Sequence, residues 1–335
     1  MIKLRHWEYW PFGILQFPIL FYYLWLSFRA RSFFFFTASN PGIEMGGMLG
    51  ESKFKILDKI PASYKANTIF IERNSSLVQV KNQMNEANLK FPVIFKPDLG
   101  ERGYRVKRIN NEAEAQQYIN TFKFDFLVQE LVELPEEFGV FYRRLPSQQK
   151  GEVFSIVGKE LLTVTGNGKS SLEELILAKD RAKLQWQKLK EQHHAQLKNI
   201  IPSGDLILLN AIGNHCLGTT FLNSNHLISE QLITSFDKIS QQIEGFYYGR
   251  FDLRCESVAA LAEGRVKILE LNGCGAEPAH IYQPGFSFWT AVSVMITHWS
   301  YIFKIARENK KKGHAYLSYE EAKMFYRKFK QAVQP

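Results

Sequence analysis

Apolar and polar residues alternate along this chain in two kinds of pattern, one typical of strands and one typical of helices. Short apolar runs rich in β-branched and aromatic residues predict strands, while apolar positions three and four apart predict helices. The predicted strands are 33–37, 91–96, 126–130, 137–144, 151–157, 159–164, 249–257 and 264–275, and the predicted helices are 77–90, 112–122, 171–193, 229–245, 286–308 and 318–332. We expect one hairpin around Gly158 and a second across 206–222. This order of elements indicates an α+β fold.

Residues 1–32 contain an apolar run that predicts contact with a membrane. The run 11–28, PFGILQFPILFYYLWLSF, carries no charge and is flanked by basic residues on both sides. As a helix it would reach about 27 Å, just short of the roughly 30 Å hydrocarbon core of a bilayer. Because Pro11 and Pro18 would kink such a span, we expect an interfacial or half-inserted anchor rather than a cleaved signal peptide. An aromatic-rich helix packed on the body of the protein is the alternative.

The chain is basic, and much of its excess positive charge lies near its end. The formal net charge is +9 over 335 residues, and residues 304–330 carry nine Lys or Arg against three Glu. Such an excess indicates an anionic partner, and nucleic acid is disfavoured because the sequence has neither zinc-finger spacing nor an aromatic RNA-binding strand. Cys216, Cys255 and Cys274 show no CxxC spacing, so neither a disulfide framework nor a zinc site is expected, and a reducing cytoplasmic setting fits.

The segment FPVIFKPDLGERGYRV, residues 91–106, predicts a strand that ends at a ligand site. Val93, Ile94 and Phe95 indicate a buried strand, and Lys96 falls at its end, where the sheet opens to solvent. A loop with two glycines and two arginines follows. Because ligands are commonly bound at such edges, Lys96 is a candidate binding residue.

Two late strands carry side-chain oxygens suited to magnesium. Asp252 lies on one predicted strand, and Glu270 and Asn272 lie two apart on the next, so the latter two point to the same face. If the strands are neighbours, three oxygens converge without cysteine or histidine, which is the donor set that Mg²⁺ prefers. Arg250 would face the same way and is placed to contact a phosphoryl group. The alternative is an edge strand with solvated charges, which the apolar run 266–271 disfavours.

Several segments together resemble the ATP-grasp superfamily. FPVIFKPDLGERGYRV, VQELVELPEEFGVFYRR, and GRFDLR followed by KILELNGCG are similar to its carboxylate-amine ligases, such as D-alanine-D-alanine ligase. TVTGNGKSSLEELI resembles a loop of cyanophycin synthetase and related peptide-forming members. The resemblance covers residues 53–285 and implies an ATP-grasp fold of two α+β subdomains that clasp ATP, with a reduced N-terminal region and a hydrophobic N-terminal anchor.

The resemblance also implies a division of the chain. The implied units are 1–32, a membrane-associating segment; 33–75, a reduced region before the grasp; 76–157, the central subdomain; 158–290, the C-terminal subdomain; and 291–335, a basic helical tail. The region before the grasp is too short for the full N-terminal domain of D-alanine-D-alanine ligase. The first-substrate site is therefore expected to differ, and D-alanine is not implied.

Roles for individual residues follow from the same resemblance. Lys53 and Lys96 would hold the nucleotide phosphates under the loop 98–103, and Arg250 would lie on the transferred phosphate, so that Arg250 and Lys96 are the implied catalytic residues. The implied adenine and ribose contacts are Gln129, Glu130, Leu131 and Glu137. The implied metal ligands are Asp252, Glu270 and Asn272. The implied contacts to the second substrate are His215, Glu277 and His280.

In the ATP-grasp ligases a carboxylate attacks the γ-phosphate of ATP, and an amine then displaces phosphate from the acyl phosphate. The resemblance therefore implies ATP- and Mg²⁺-dependent ligation of a small-molecule carboxylate and amine. The expected location is the cytoplasm, at the inner face of the cell membrane. A phosphotransferase acting on a metabolite hydroxyl and a membrane-associated nucleotide-binding protein without turnover are the alternatives, and the oligomeric state stays open.

Overall fold

The computed structural model describes residues 7–10, 12–100, 103–210, 213 and 215–333, and three antiparallel sheets lie within this part of the chain. The strands are β1 Thr68–Ile71, β2 Val93–Pro97, β3 Lys107–Ile109, β4 Phe126–Glu130, β5 Glu136–Arg143, β6 Glu152–Glu160, β7 Leu162–Thr165, β8 Leu206–Asn210, β9 Thr220–Asn223, β10 Tyr248–Cys255 and β11 Val266–Asn272. The α-helices are α1 Phe12–Ala30, α2 Lys53–Asp58, α3 Leu77–Glu86, α4 Glu112–Thr121, α5 Leu172–Ala178, α6 Asp180–Lys183, α7 Trp186–Gln192, α8 Glu230–Gln241, α9 Val258–Ala262, α10 Phe288–Lys311 and α11 Tyr319–Val333. Short 3₁₀ helices are Trp7–Tyr9, Phe35–Ser39, Glu44–Gly47, His215–Leu217, Asn225–Leu227 and Ala279–Tyr282.

The four-stranded sheet has the order β1-β4-β2-β3 and packs against α3 and α4. Both helices begin at side-chain caps, since Ser76 forms a capping box and Asn111 accepts from a backbone N–H of the first turn. Val93 and Phe95 of β2 are fully buried in the core beneath the helices. Because side chains alternate along a strand, Lys96 points to the opposite face of the sheet.

The five-stranded sheet has the order β11-β10-β5-β6-β9. Phe251 of β10 lies in the core that this sheet forms with α8 and α9. On the opposite face, Tyr248 lies in a second core with Ile302 of α10. Arg250 and Asp252 share the face of Tyr248, by the alternation of side chains along the strand. This face of β10 is therefore apolar where the helix covers it and charged beyond.

The segment predicted as one helix, 171–193, is broken into α5, α6 and α7, which pack on the two-stranded sheet β7-β8. The break between α5 and α6 falls at Lys179, whose backbone is extended (φ −92°, ψ 111°). Its Nζ donates to the carbonyl oxygen of Thr163 at 2.7 Å. Packing on a small sheet therefore overrides the continuous helical pattern.

Both predicted hairpins are wrong. Strand β6 runs through Gly158, which pairs with Phe138 on one side and with Leu222 on the other. Strand β7 pairs with β8, and β9 pairs with β6, so the segment 206–222 crosses between two sheets. A Cβ at Gly158 would lie 2.9 Å from Oγ of Ser224, so the glycine serves a close approach rather than a turn.

The aromatic segment 33–37, predicted as a strand, instead leads into the 3₁₀ helix Phe35–Ser39. Phe35 is fully buried, and its ring lies edge-on to that of Phe303 of α10, with centroids 5.6 Å apart. Aromatic contacts with a helix therefore take the place of strand pairing.

The chain leaves the four-stranded sheet after Glu130 and enters the five-stranded sheet at Glu136. The predicted subdomain boundary at 157/158 therefore does not coincide with the boundary between the sheets.

Helix α1 is the apolar segment near the start of the chain, and it lies beside α10. Leu15, Ile19 and Leu26 are buried, whereas Phe17 and Phe28 on the other side of the helix are exposed. In the described part of the chain, no helix combines the length and apolar character needed to cross a bilayer. One face of α1 therefore packs on the body of the protein, as the alternative to a membrane anchor predicted.

Candidate active site

A cavity of about 1050 Å³ lies between the two larger sheets. The four-stranded sheet contributes the β2 and β4 ends, and the five-stranded sheet contributes β10 and β11. The predicted site residues that line it are Lys53, Lys96, Gln129, Glu130, Leu131, Glu137, His215, Arg250, Asp252, Glu270, Asn272 and Glu277. The structure thus brings distant parts of the sequence to one place.

The predicted metal ligands lie together on β10 and β11, which are neighbours as expected. Asp252 pairs with Glu270, and Arg250 pairs with Asn272, so the four side chains share one face of the sheet. The Nδ2 of Asn272 donates to Oδ2 of Asp252 at 2.9 Å. Two carboxylates and an amide therefore border the same part of the cavity.

Asp252 is buried and held between two cations. Arg250 donates from Nε to Oδ1 at 3.2 Å and from Nη2 to Oδ2 at 3.0 Å, and Nζ of Lys159 lies 3.1 Å from Oδ1. Burial alone would raise the pKa of Asp252, but Arg250 and Lys159 outweigh it and hold the pKa at about 2. Asp252 is therefore ionised at neutral pH.

Glu137 belongs to the same network of charges. Nζ of Lys159 lies 3.1 Å from Glu137 as well as from Asp252, and Nη2 of Arg254 lies 2.9 Å from the other Glu137 oxygen. Arg254 also donates to the carbonyl oxygen of Leu134 at 3.2 Å. The chain between β4 and β5 is thereby fixed to β10.

Lys96 and Lys53 both lie near Glu270. Nζ of Lys96 donates to Oε1 of Gln129 and to the carbonyl oxygen of Leu269, each at 3.0 Å. Burial lowers the pKa of Lys96 to about 8, and the charge of Glu270 opposes that shift. Nζ of Lys53 lies 3.5 Å from Oε1 of Glu270. The carboxylate of Glu270 therefore interacts electrostatically with both lysines.

The position of Lys53 is set by the start of α2. Oγ of Ser52 and the backbone N–H of Phe54 both donate to Oδ1 of Asp98, each at 2.9 Å. Asp98 directly follows β2, the strand that carries Lys96. The two lysines are therefore linked through one short stretch of backbone and one buried carboxylate.

The segment predicted to hold adenine lies at the end of β4. Nε2 of Gln129 donates to Oγ1 of Thr68 at 2.9 Å, and Oε1 of Glu130 lies 3.6 Å from Nζ of Lys267. Leu131 also lines the cavity. Both polar side chains are engaged by the protein itself, and so is the backbone N–H of Glu130, which donates to the carbonyl oxygen of Asn67 at 2.8 Å.

Glu277 lies at the other end of the cavity. Its carboxylate accepts from Nε2 of Gln16 at 2.5 Å and from the hydroxyl of Tyr282. Arg250 donates from Nη1 to the Glu277 carbonyl oxygen at 3.1 Å. Gln16 belongs to α1, so the N-terminal helix forms part of the wall of the site.

The two histidines predicted to meet the second substrate are placed differently. His215 lines the cavity 5.3 Å from the Phe221 ring, and its Nε2 has no hydrogen-bond partner among the described residues. Burial and, to a smaller extent, Arg181 lower the pKa of His215 to about 4, so the ring is neutral. His280 is buried, with Nδ1 2.6 Å from Oγ of Ser155, and it is not among the described residues that line the cavity.

Lys159, Arg254 and Gln16 are site residues that the sequence analysis missed. Arg254 follows Asp252 by two residues, so the alternation of side chains could have found it. Lys159 was obscured by the hairpin predicted around Gly158. Gln16 has no local signal, because its contact with Glu277 joins residues 261 positions apart.

The residues on β10 and β11 fit a magnesium ion that is bound together with a nucleotide. Among the residues that the structure describes, no three His, Cys, Asp or Glu side chains cluster as a metal site, so the protein offers only part of a coordination shell. Mg²⁺ is usually held by one or two carboxylates and completes its shell with waters and phosphate oxygens. Asp252 and Glu270 would supply the carboxylates for such an ion, and the Glu270 side chain is 31% exposed.

Replacing Gly139 with Ala is expected to distort this site. Gly139 of β5 pairs with Asp252, and a Cβ there would lie 2.7 Å from Cγ1 of Val157 and 3.2 Å from Oδ1 of Asp252. Overpacking of this kind costs about 1–3 kcal/mol, so the free energy of unfolding should fall. Urea unfolding measures this effect. The matched control is Gly13→Ala, because a Cβ at Gly13 would meet nothing within 4 Å. A G139A protein as stable as G13A would contradict the close packing around Gly139.

Comparison with known proteins yields matches to solved structures. No family model matches the sequence, and no curated protein matches it. The chain is similar to D-alanine-D-alanine ligase from Bacillus anthracis, with a TM-score of 0.44 and 10% identity over 78% of this chain and 68% of that one. It is similar to a bifunctional glutathione synthetase from Pasteurella multocida, with a TM-score of 0.37 and 16% identity over 73% of this chain and 35% of that one. It is also similar to the ATP-grasp ligase PsnB, with a TM-score of 0.38 and 11% identity over 74% of this chain and 60% of that one.

The chain therefore spans about a third of the length of the glutathione synthetase and about two thirds of that of the D-alanine-D-alanine ligase. Because these TM-scores are below 0.5, the case for a function comes from the residues of the chain itself. The resemblance predicted from the sequence is confirmed, since the chain is similar to ATP-grasp carboxylate-amine ligases.

Proposed function

We propose that this chain is an ATP- and Mg²⁺-dependent ligase that joins a carboxylate to an amine through an acyl phosphate. One observation carries the proposal: Lys53 and Lys96, from the first third of the chain, line the same cavity as Asp252, Glu270 and Asn272 of the late strands. Phosphate binding needs cations, and a magnesium nucleotide also needs carboxylates at the same place. The cavity supplies both.

The nucleotide lies along the four-stranded sheet in this proposal. The main chain of 129–131 holds adenine, Glu137 faces the ribose, and Lys53 and Lys96 contact the phosphates. Asp252, Glu270 and Asn272 hold the magnesium ion, which neutralises phosphate charge when bound. Arg250 is ionised beside Asp252, where its Nη1 points towards the end of the cavity formed by Glu277. Arg250 is thus placed between the nucleotide and the second substrate.

The proposed reaction needs two displacements. A carboxylate oxygen of the first substrate attacks the γ-phosphorus, the bond to the bridging oxygen breaks, and ADP leaves. The amine nitrogen of the second substrate then attacks the acyl carbon, the carbon–oxygen bond to phosphate breaks, and the proton of the amine leaves with the phosphate. Lys96 and Arg250 reduce the repulsion between the two anions of the first step, and the walls of the cavity hold the reactants in contact.

The amine site lies at the end of the cavity formed by Glu277. Its carboxylate is oriented by Gln16 and Tyr282, and the remaining lone pairs of its oxygens suit the N–H groups of a neutral amine. Neutral His215 borders the same region. His280 has no place in this proposal as a direct contact, since it is buried against Ser155.

The test is a turnover assay with ATP, Mg²⁺ and a panel of carboxylates and amines, read by mass spectrometry of the products. We expect ADP and phosphate in equal amounts, together with an amide. A phosphorylated metabolite without free phosphate would establish the phosphotransferase instead. ATP binding without turnover across the panel would favour a nucleotide-binding protein.

Affinity for ATP is expected to fall above about pH 8. Burial lowers the pKa of Lys96 to about 8, and the protonated ammonium is the form that binds phosphate. The dissociation constant should be flat near neutral pH and rise by up to about tenfold per pH unit above the pKa. Calorimetric titration of ATP across this range measures the effect. Lys96→Met should bind weakly at every pH, and the same pH dependence in that variant would remove Lys96 as the cause.

A further inference from the structure

One face of α1 is apolar and is left uncovered by the described part of the chain. Phe17, Phe21 and Phe28 are 65%, 60% and 83% exposed. The whole exposed strip consists of Ile14, Phe17, Leu20, Phe21, Leu24, Trp25 and Phe28. These positions recur three and four apart, which places them on one side of the helix. A strip of this length and composition is unusual on the surface of a monomer in water.

Helix α10 lies beside α1, runs parallel to it and extends the apolar surface. Leu15 packs with Ala291 near the start of both helices, and the hydroxyls of Tyr22 and Ser300 are 2.6 Å apart further along. Trp289 of α10 is 73% exposed. The start of α10 therefore adds one exposed aromatic side chain close to α1.

Both helices end beside a basic depression. The depression is about 340 Å³ in volume and is lined by Arg29, Ala30, Arg307, Lys310, Lys311 and Tyr316. The guanidinium of Arg29 lies 4.8 Å from the ring centre of Trp25, at the end of the apolar strip. Within the described ranges of the chain, no carboxylate pairs with these four cations. The apolar strip and the basic depression therefore adjoin each other on the surface.

Helix dipoles alone do not explain this arrangement. A cation in the last turn of a helix is stabilised by the helix dipole, which accounts for basic residues at two helix ends. It does not account for exposed phenylalanines along the preceding turns. A surface that combines apolar side chains with adjacent cations matches a bilayer, whose acyl chains lie beneath anionic headgroups.

We propose that the exposed face of α1, together with Trp289 and the basic depression, docks flat on a bilayer that contains anionic phospholipid. The apolar strip enters the boundary between headgroups and acyl chains, and the depression contacts lipid phosphates. A second copy of this chain is a poorer occupant, because residues 12–43 contain no Asp or Glu and α10 contains only Glu308. A symmetric dimer through this face would bring cations together without counter-charges.

This docking would orient the active-site cavity. Trp7, Trp10 and Leu15 line the cavity at the end formed by Glu277, and Leu15 lies on α1 itself. Because Leu15 is buried on the side of α1 opposite the exposed strip, the amine end of the cavity would lie behind α1, on the side of the helix away from the bilayer. Because docking requires no turnover, its failure would leave the proposed ligase activity untouched.

The test is co-sedimentation of the full chain with vesicles of phosphatidylcholine, with and without phosphatidylglycerol. We expect binding to the mixed vesicles and much weaker binding to phosphatidylcholine alone. Phe17→Ser combined with Phe21→Ser and Phe28→Ser should weaken binding at least roughly a hundredfold, since each buried phenylalanine contributes strongly to transfer. The matched control is Val78→Ser with Leu206→Ser, two exposed apolar residues elsewhere, and should bind like the parent.

A second pair of variants separates the charge from the apolar strip. Arg307→Gln with Lys310→Gln and Lys311→Gln should lose roughly fivefold in binding to mixed vesicles per charge removed. Lys188→Gln with Lys190→Gln, also exposed, should lose little. Vesicle binding is compared only for variants that unfold at the same temperature as the parent protein.

Two results would overturn the proposal. One is equal vesicle binding by the parent and the triple phenylalanine variant. The other is a concentration-dependent dimer, seen by analytical ultracentrifugation, that the triple variant converts to monomer while neither protein binds vesicles. That second result would assign the face to a second copy of the chain.

Discussion

Glu270→Gln is expected to abolish ATP-dependent turnover while leaving the fold intact. Gln keeps the shape of Glu, but it removes a charge that faces Lys53 and is proposed to hold the metal. A bound metal contributes several kcal/mol to stabilising charge in the transition state, so we expect turnover to fall by roughly a thousandfold. The free energy of unfolding should change little, because the Glu270 side chain is partly exposed and its ion pair with Lys53 is 3.5 Å long.

Glu263→Gln is the matched control for this prediction. Glu263 lies in the turn between α9 and β11, where its exposed carboxylate pairs with Arg265. That variant should turn over ATP at the rate of the parent. Full activity of E270Q, measured by ADP release at saturating Mg²⁺, would contradict the proposed role of Glu270.

Asp252→Asn is expected to lower both stability and activity. Arg250 and Lys159 contact the Asp252 carboxylate, so the change leaves two buried cations beside a neutral amide. Breaking a buried ion pair by removing one partner costs about 3–5 kcal/mol. Urea unfolding should show this loss at neutral pH. In the parent protein the same charge is lost only as the pH falls through about 2, because the pKa of Asp252 is held there.

A double variant distinguishes the structural role of Asp252 from its proposed metal role. Lys159→Met in the Asp252→Asn background removes one of the two cations beside the amide, while Glu137 keeps its ion pair with Arg254, so part of the lost stability should return. Turnover should not return, because the metal-binding carboxylate is still absent. Recovery of turnover together with stability would show that Asp252 acts only through the fold.

Local patterns were sufficient to predict most strands and the shared face of the three proposed metal ligands. Asp252, Glu270 and Asn272 could be grouped because strand alternation places residues two apart on one face, and β10 and β11 follow each other in the chain. Lys96 could be located because an apolar run ends there. These predictions depend on short-range periodicity, which the sequence displays directly.

Contacts between distant segments could not be predicted in the same way. The pairing of β6 with β9 and of β7 with β8 depends on which sheet each strand joins, and the apolar runs around Gly158 are compatible with either arrangement. The hydrogen bond from Gln16 to Glu277 depends on how α1 packs beside α10. His280 follows β11 in the sequence and was expected to contact the second substrate, yet the turn of the chain buries it against Ser155.

In the proposed complex, a magnesium nucleotide lies between two lysines, Lys53 of α2 and Lys96 of β2, and the carboxylates of β10 and β11. A crystal structure of the chain with Mg²⁺ and a non-hydrolysable ATP analogue tests it most directly. We predict phosphate oxygens in contact with Nζ of Lys53 and of Lys96, and a metal ion bound by Asp252 and Glu270. A nucleotide bound elsewhere, or phosphates that leave both lysines without contact, would rule out this arrangement.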